Sequence, residues 1–157
     1  MKSLTEIDYR RNRRATYLIS QLLDYGEEKY RRDKLTIQLT KDLRYVYIPD
    51  FSLPEIWKQR RVPLLIYIPE SYPETPPIGF YIPHGTCLKS GRNHNHQFST
   101  GMLGQPDLQS LGWDWFCLHL QNKSDWQPKD NPLKPHNFWS YINIIRLGLT
   151  YAELRDA

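Results

Sequence analysis

Residues 66–80 read IYIPESYPETPPIGF, and this stretch decides how the middle of the chain is folded. It begins inside an apolar run, 62–68, that is typical of a central β-strand, and 78–82 predicts the next strand. Between them, the prolines of Tyr72-Pro73 and Pro76-Pro77 hold the backbone extended, because each fixes its own φ and restricts the residue before it. The stretch therefore predicts two strands joined by a stiff, ordered crossing.

Further strands are predicted before this crossing, and a helix at each end of the chain. Residues 34–40 alternate apolar and polar side chains, and 43–48 are rich in Tyr and Val, which favour strands. Residues 5–25 carry one apolar stripe at helical spacing, and 137–149 repeat apolar side chains at steps of four, three and four. Between strands and closing helix, 84–115 lose all periodicity, so we expect an irregular segment with a functional role.

The composition describes one globular domain, 1–157. Hydrophobic residues make up 39% of the chain and charged residues 24%, which is typical of a folded protein. No apolar run approaches the roughly 20 residues of a membrane span, and charges occupy the place of a signal peptide's apolar stretch. Cys87 and Cys117 are too few for a disulfide framework, so we expect a reducing, cytoplasmic setting.

A second stretch, 115–128, reads WFCLHLQNKSDWQP and sets Cys117 ahead of a Trp-x-Pro element. Together with 66–80 it resembles the ubiquitin-conjugating enzyme family, in its divergent bacterial branch, over about two-thirds of the chain. The resemblance implies an α+β ubiquitin-conjugating fold. Its expected parts are an N-terminal helix, a four-stranded antiparallel meander, an irregular active-site segment and a C-terminal helix.

The resemblance also implies an enzyme, a transferase that works through a thioester and without a cofactor. Cys117 would accept a ubiquitin-like protein from an activating enzyme and pass it to an amine of a target protein. His119 would share a strand face with Cys117, where it could tune the thiol or deprotonate the incoming lysine. Asp125 or Asp130 could serve that second role instead.

One family element is missing. Members carry a His-Pro-Asn tripeptide about ten residues before the cysteine, whose Asn helps to stabilise the oxyanion. Here Gln105-Pro106-Asp107 stands near that distance and keeps only the proline, which makes Asp107 the candidate catalytic residue at this point. The wall of the active site is expected to contain His94, His96, Trp113 and Trp126.

Four arginines near the start of the chain form a basic cluster: Arg10, Arg11, Arg13 and Arg14. In position, the cluster resembles the surface with which the family docks its activating enzyme, although a solvated helix face has the same pattern. We do not expect nucleic-acid binding, because no recognised reading motif accompanies the charge.

Other interpretations remain open. The chain could be a non-catalytic adaptor of the same fold, which binds a ubiquitin-like protein or another partner, and Cys117 could be an inert core cysteine. A cysteine peptidase could be built from Cys117 with His94, His96 or His119. His84, Cys87, His94 and His96 are all metal-ligand types, but their spacing does not match common zinc sites, so we expect no metal.

Overall fold

The computed structural model of the chain describes residues 37–118 and 138–151. Its strands are β1 (Gln38–Leu39), β2 (Tyr45–Ser52), β3 (Arg61–Tyr67), β4 (Gly79–Pro83), β5 (Gln97–Phe98) and β6 (Trp113–Cys117). They form one antiparallel sheet in the order β1-β2-β3-β4-β6-β5. The described residues also contain a 3-10 turn at Gln109–Leu111 and one helix, α1 (Phe138–Thr150).

The predicted fold class is wrong. The sequence predicted a four-stranded meander followed by an irregular segment, whereas the described chain forms six strands with a single helix, α1. Strands β5 and β6 were not predicted. Each has a polar side chain that points towards the interior, Gln97 in β5 and Asp114 in β6. These buried polar positions interrupt the apolar alternation by which a strand is recognised. The predicted N-terminal helix, 5–25, lies outside the described residues.

A β-bulge explains how Pro63 fits inside a central strand. The pairing of β2 with β3 shifts between Ile48 and Phe51, so two residues of β2, Pro49 and Asp50, lie opposite this single proline. Proline has no N–H to give to a ladder, and a bulge is one of the few interior places that tolerates it.

The sheet has one face against α1 and one face away from it. Side chains of four strands, β2, β3, β4 and β6, share one core with the buried stripe of the helix. The core residues include Val46, Ile48, Leu64, Ile66, Phe80, Ile82, Phe116, Tyr141, Ile142, Ile145 and Leu149. On the opposite face Tyr81 and Trp115 are also fully buried. The Tyr81 hydroxyl donates to the carbonyl of Pro106 at 2.5 Å, so the segment between β5 and β6 folds across this second face.

Helix α1 runs from the Cys117 end of the sheet to the opposite end. Near its start, the Tyr141 hydroxyl donates to the Leu118 carbonyl at 2.7 Å. At its other end, the Leu149 carbonyl accepts the indole N–H of Trp57, also at 2.7 Å. Among the described residues no helix has the length and apolar character of a transmembrane span.

Candidate functional site around Cys117

Cys117 is the last residue of β6, and its backbone is held from both sides. Its N–H donates to the His96 carbonyl at 2.8 Å, and the next N–H, of Leu118, donates to Ile78 at 3.0 Å. A sulfur placed on such a doubly paired strand is positioned more precisely than one on a loop. Because Phe116 and Leu118 both face the core, alternation turns the Cys117 side chain to the face away from α1.

Gly79 lies directly opposite Cys117 in the ladder between β4 and β6. A Cβ on residue 79 would stand 2.5 Å from the Trp115 indole nitrogen and 2.6 Å from the Phe116 carbonyl oxygen. The absence of a side chain therefore lets the Trp115 ring pack over β4, next to the thiol. The Trp115 N–H is buried and has no acceptor among the described residues.

The environment of the Cys117 sulfur favours the neutral thiol. The side chain is half-buried, and burial raises the pKa of the thiol. Since only the thiolate is a strong nucleophile, a raised pKa disfavours reaction with unactivated substrates at neutral pH. An acyl donor that is already activated, such as a thioester, suits such a group better.

Tyr141 joins α1 to the strand that carries the thiol. Its side chain is fully buried, and its hydroxyl bonds the carbonyl of the residue immediately after Cys117. Burial, and then the nearby Cys117, raise the pKa of this hydroxyl well above its ordinary value. Tyr141 therefore acts as a neutral hydrogen-bond donor that fixes the end of β6.

His94 pins the segment before β5 to the end of α1. Its ring is 2% exposed, and its Nδ1 accepts the backbone N–H of His96 at 3.0 Å. The proton is therefore on Nε2, which donates to the Tyr151 carbonyl at 2.7 Å. The ring also stacks on Trp57, with centroids 5.9 Å apart and planes within 7°. With both nitrogens engaged, His94 is a structural residue of the site.

A buried carboxylate, Asp114, organises the polar side of β6. One of its oxygens lies 3.0 Å from Nδ1 of His84, and the other accepts the Gln97 amide at 2.9 Å. Gln97 in turn accepts the backbone N–H of His94 at 3.2 Å and donates to the Thr86 carbonyl at 2.8 Å. This network holds β5 against β6 from the core side, where apolar packing alone would leave buried polar groups unsatisfied.

The predicted site residues separate into different parts of the structure. Backbone pairing brings His96 next to Cys117. Trp113, at the other end of β6, is half-buried and lies about 13 Å from Cys117 along the strand. Asp107 is exposed, and its carboxylate accepts the N–H of Gln109, the first residue of the 3-10 turn, at 3.0 Å.

The other predicted site residues lie outside the described part of the chain: Arg10, Arg11, Arg13, Arg14, His119, Asp125, Trp126 and Asp130. Within residues 37–118 and 138–151, no group of three or more His, Cys, Asp or Glu side chains is arranged to hold a metal ion. His94, one of the four ligand types considered for zinc, already uses both ring nitrogens.

Sequence reasoning did not identify Gly79, Asp114 or Tyr141 as parts of the site. Asp114 carried a signal, because a single acidic residue inside the aromatic run WDWFC is unusual for a buried strand. Gly79 and Tyr141 carried none, since their importance comes from contacts with residues far away along the chain.

The chain matches no protein-family model, no curated protein and no solved structure.

Proposed function

We propose that Cys117 is the carrier thiol of a transferase that moves a ubiquitin-like protein from an activating enzyme to an amine of a target. The observation that supports this most is the placement of Cys117, a half-buried thiol at the end of a rigid strand. The residue opposite it in the ladder is Gly79, over which the Trp115 ring packs. We place this activity in a reducing cytoplasm, because the carrier must be a free thiol.

The proposed reaction has two acyl transfers. The Cys117 thiolate attacks the thioester carbonyl of the charged activating enzyme, a new S–C bond forms, and the enzyme's thiolate leaves and takes up a proton. A neutral lysine amine then attacks the Cys117 thioester, an amide forms, and the Cys117 thiolate leaves. The proton lost by the amine passes to solvent or to a nearby base.

The raised pKa of Cys117 is compatible with a carrier role. Thiols of higher pKa are poorer leaving groups, so their thioesters are attacked more slowly. A thioester on Cys117 would accordingly persist against water until a well-placed amine arrives. The cost is slower loading, which an activated donor offsets.

A second candidate function is a non-catalytic adaptor that binds a ubiquitin-like protein. It is favoured by the electrostatics of the thiol, because burial is what moves its pKa and burial acts against ionisation.

A charging assay separates the two candidates. The protein would be incubated with a ubiquitin-like protein, its activating enzyme and ATP, and analysed on non-reducing gels. We expect the wild type to form an adduct that thiol reagents cleave, Cys117→Ala to form none, and Cys117→Ser to form a thiol-resistant oxyester.

Cys87→Ala is the matched control, because Cys87 is the other half-buried cysteine of the chain. It should charge like the wild type. Absence of any adduct with an activating enzyme that charges itself would reject the carrier role. Binding of the modifier without an adduct would then support the adaptor.

A further inference from the structure

A cavity of about 360 Å³ opens at the end of the sheet opposite to Cys117. The pairs Ser52↔Arg61 and Tyr45↔Tyr67 mark the two ends of the β2–β3 ladder, and Cys117 lies at the Tyr67 end. The cavity is formed by the end of β2, the loop 53–60, the start of β3 and Lys89. It is therefore separate from the candidate site described above.

Positive charge dominates the cavity. Four cationic side chains line it: Lys58, Arg60, Arg61 and Lys89. Arg61 bonds Asp50 at 2.6 Å and Lys89 bonds Glu55 at 3.2 Å, whereas Lys58 and Arg60 have no carboxylate partner among the described residues. Four cations and two carboxylates leave a net charge of +2 at the cavity.

Backbone hydrogen bonds hold together the loops that carry these cations. Within the loop, the N–H of Leu53 donates to Arg60 at 2.8 Å. Across to the next loop, the N–H of Lys58 donates to Cys87 and that of Lys89 to Ile56, both at 2.9 Å. The fold therefore brings the attachment points of these like charges together, and a bound anion would relieve the repulsion between them.

We propose that this cavity binds the phosphate group of a small, soluble phosphate monoester. A phosphate monoester carries about −1.5 to −2 charges at neutral pH, which matches the net charge of the cavity. The guanidinium of Arg60 can bond two phosphate oxygens at once, and Lys58 supplies a second, more flexible cation. The volume lies within the roughly 300–1,000 Å³ of small-molecule sites, and the concave shape favours a small ligand over a flat protein surface.

Calorimetric titration with phenyl phosphate at constant ionic strength tests the proposal. We expect saturable binding at one site in the wild type and weaker binding of benzenesulfonate, which has a similar shape but a single charge. Lys58→Gln combined with Arg60→Gln should weaken phenyl phosphate binding about tenfold or more, because two charge-assisted hydrogen bonds are lost. Both side chains are exposed, so the double variant should keep the wild-type melting temperature.

Lys41→Gln is the matched control for charge. Lys41 is exposed in the turn before β2, at the Cys117 end of the sheet, and should leave the affinity within about twofold of wild type. If Lys41→Gln and the double variant weaken phenyl phosphate binding equally, the titration measures non-specific electrostatic attraction to the whole protein. That result would overturn the proposal. A titration with phenyl phosphate that does not saturate would also overturn the proposal. The same holds if the protein binds short duplex DNA or a phosphoserine peptide but does not bind phenyl phosphate. Because the cavity does not contain Cys117, a failure here leaves the carrier proposal untouched.

Discussion

The indole nitrogen of Trp115 lies 2.5 Å from the position that a Cβ on Gly79 would occupy. No side chain fits there without moving the ring, and the backbone oxygen of Phe116 is nearly as close. The opposing strand residue is thus fixed as glycine by the packing of a buried ring, next to the cysteine that we propose as carrier.

We expect Gly79→Ala to destabilise the fold by about 1–3 kcal/mol, because the added methyl overpacks a ring and a backbone carbonyl. Chemical denaturation measures this change. Gly148→Ala is the matched control, because the three nearest atoms to its Cβ are all at the end of the Leu118 side chain, at 2.9, 3.3 and 3.7 Å, and none is a backbone atom. Alanine also favours the helix over glycine by about 1 kcal/mol. Equal effects of the two substitutions would contradict the packing argument.

We expect His94→Phe to lower the free energy of unfolding by about 1–3 kcal/mol, although an aromatic ring is retained. The substitution leaves the His96 N–H and the Tyr151 carbonyl without their partner. The neighbouring His96→Phe is the comparison, and should change stability by less than about 1 kcal/mol. If His94→Phe leaves the free energy of unfolding unchanged, the two hydrogen bonds of the His94 ring do not contribute to stability.

We expect Tyr141→Phe to cost about 1–2 kcal/mol, because the hydroxyl is the donor to the buried Leu118 carbonyl. Tyr45→Phe, at a half-buried tyrosine on the other face of the sheet, should cost less, and urea denaturation compares the two. If Tyr45→Phe costs as much, the bond at the end of β6 is not what makes Tyr141 important.

The thiol pKa gives a prediction about pH. Burial raises the pKa of Cys117, so at any given pH the folded protein contains less thiolate than the unfolded chain. In Cys87→Ala, Cys117 is the remaining thiol. In the native protein, its rate of alkylation by iodoacetamide should still increase with pH at about pH 9. In denaturant the same variant should already be levelling off, as expected for an ordinary thiol of pKa about 8.5. If the alkylation rate of the native protein stops increasing below neutral pH, the pKa of Cys117 is lowered by the fold, which would contradict this prediction.

The sequence predicted those strands whose inward side chains are all apolar. The predictions 43–48, 62–68 and 78–82 overlap β2, β3 and β4, where alternation or a continuous apolar run can be read directly. Strands β5 and β6 could not be read in this way. The polar side chains that they turn inward, Gln97 and Asp114, are acceptable because they bond each other and further polar groups around them.

The same limit applies to the candidate site. Cys117 could be chosen from its local context, but the partners that fix it come from distant positions: Gly79 through strand register and Tyr141 through the packing of α1. The orientation of His94 depends on Tyr151, 57 positions further along. The sequence alone does not distinguish a structural histidine, which forms hydrogen bonds through both ring nitrogens, from a catalytic one.

The double pairing of β6 also fixes a trajectory. Neighbouring strands occupy the plane of the sheet on both sides of Cys117, through His96 and through Ile78. The Cys117 side chain therefore leaves the sheet on the side away from α1, and an acyl donor must reach the sulfur from that side. On that side the Trp115 ring covers the Gly79 position of the neighbouring strand, so the ring forms one boundary of the approach to Cys117.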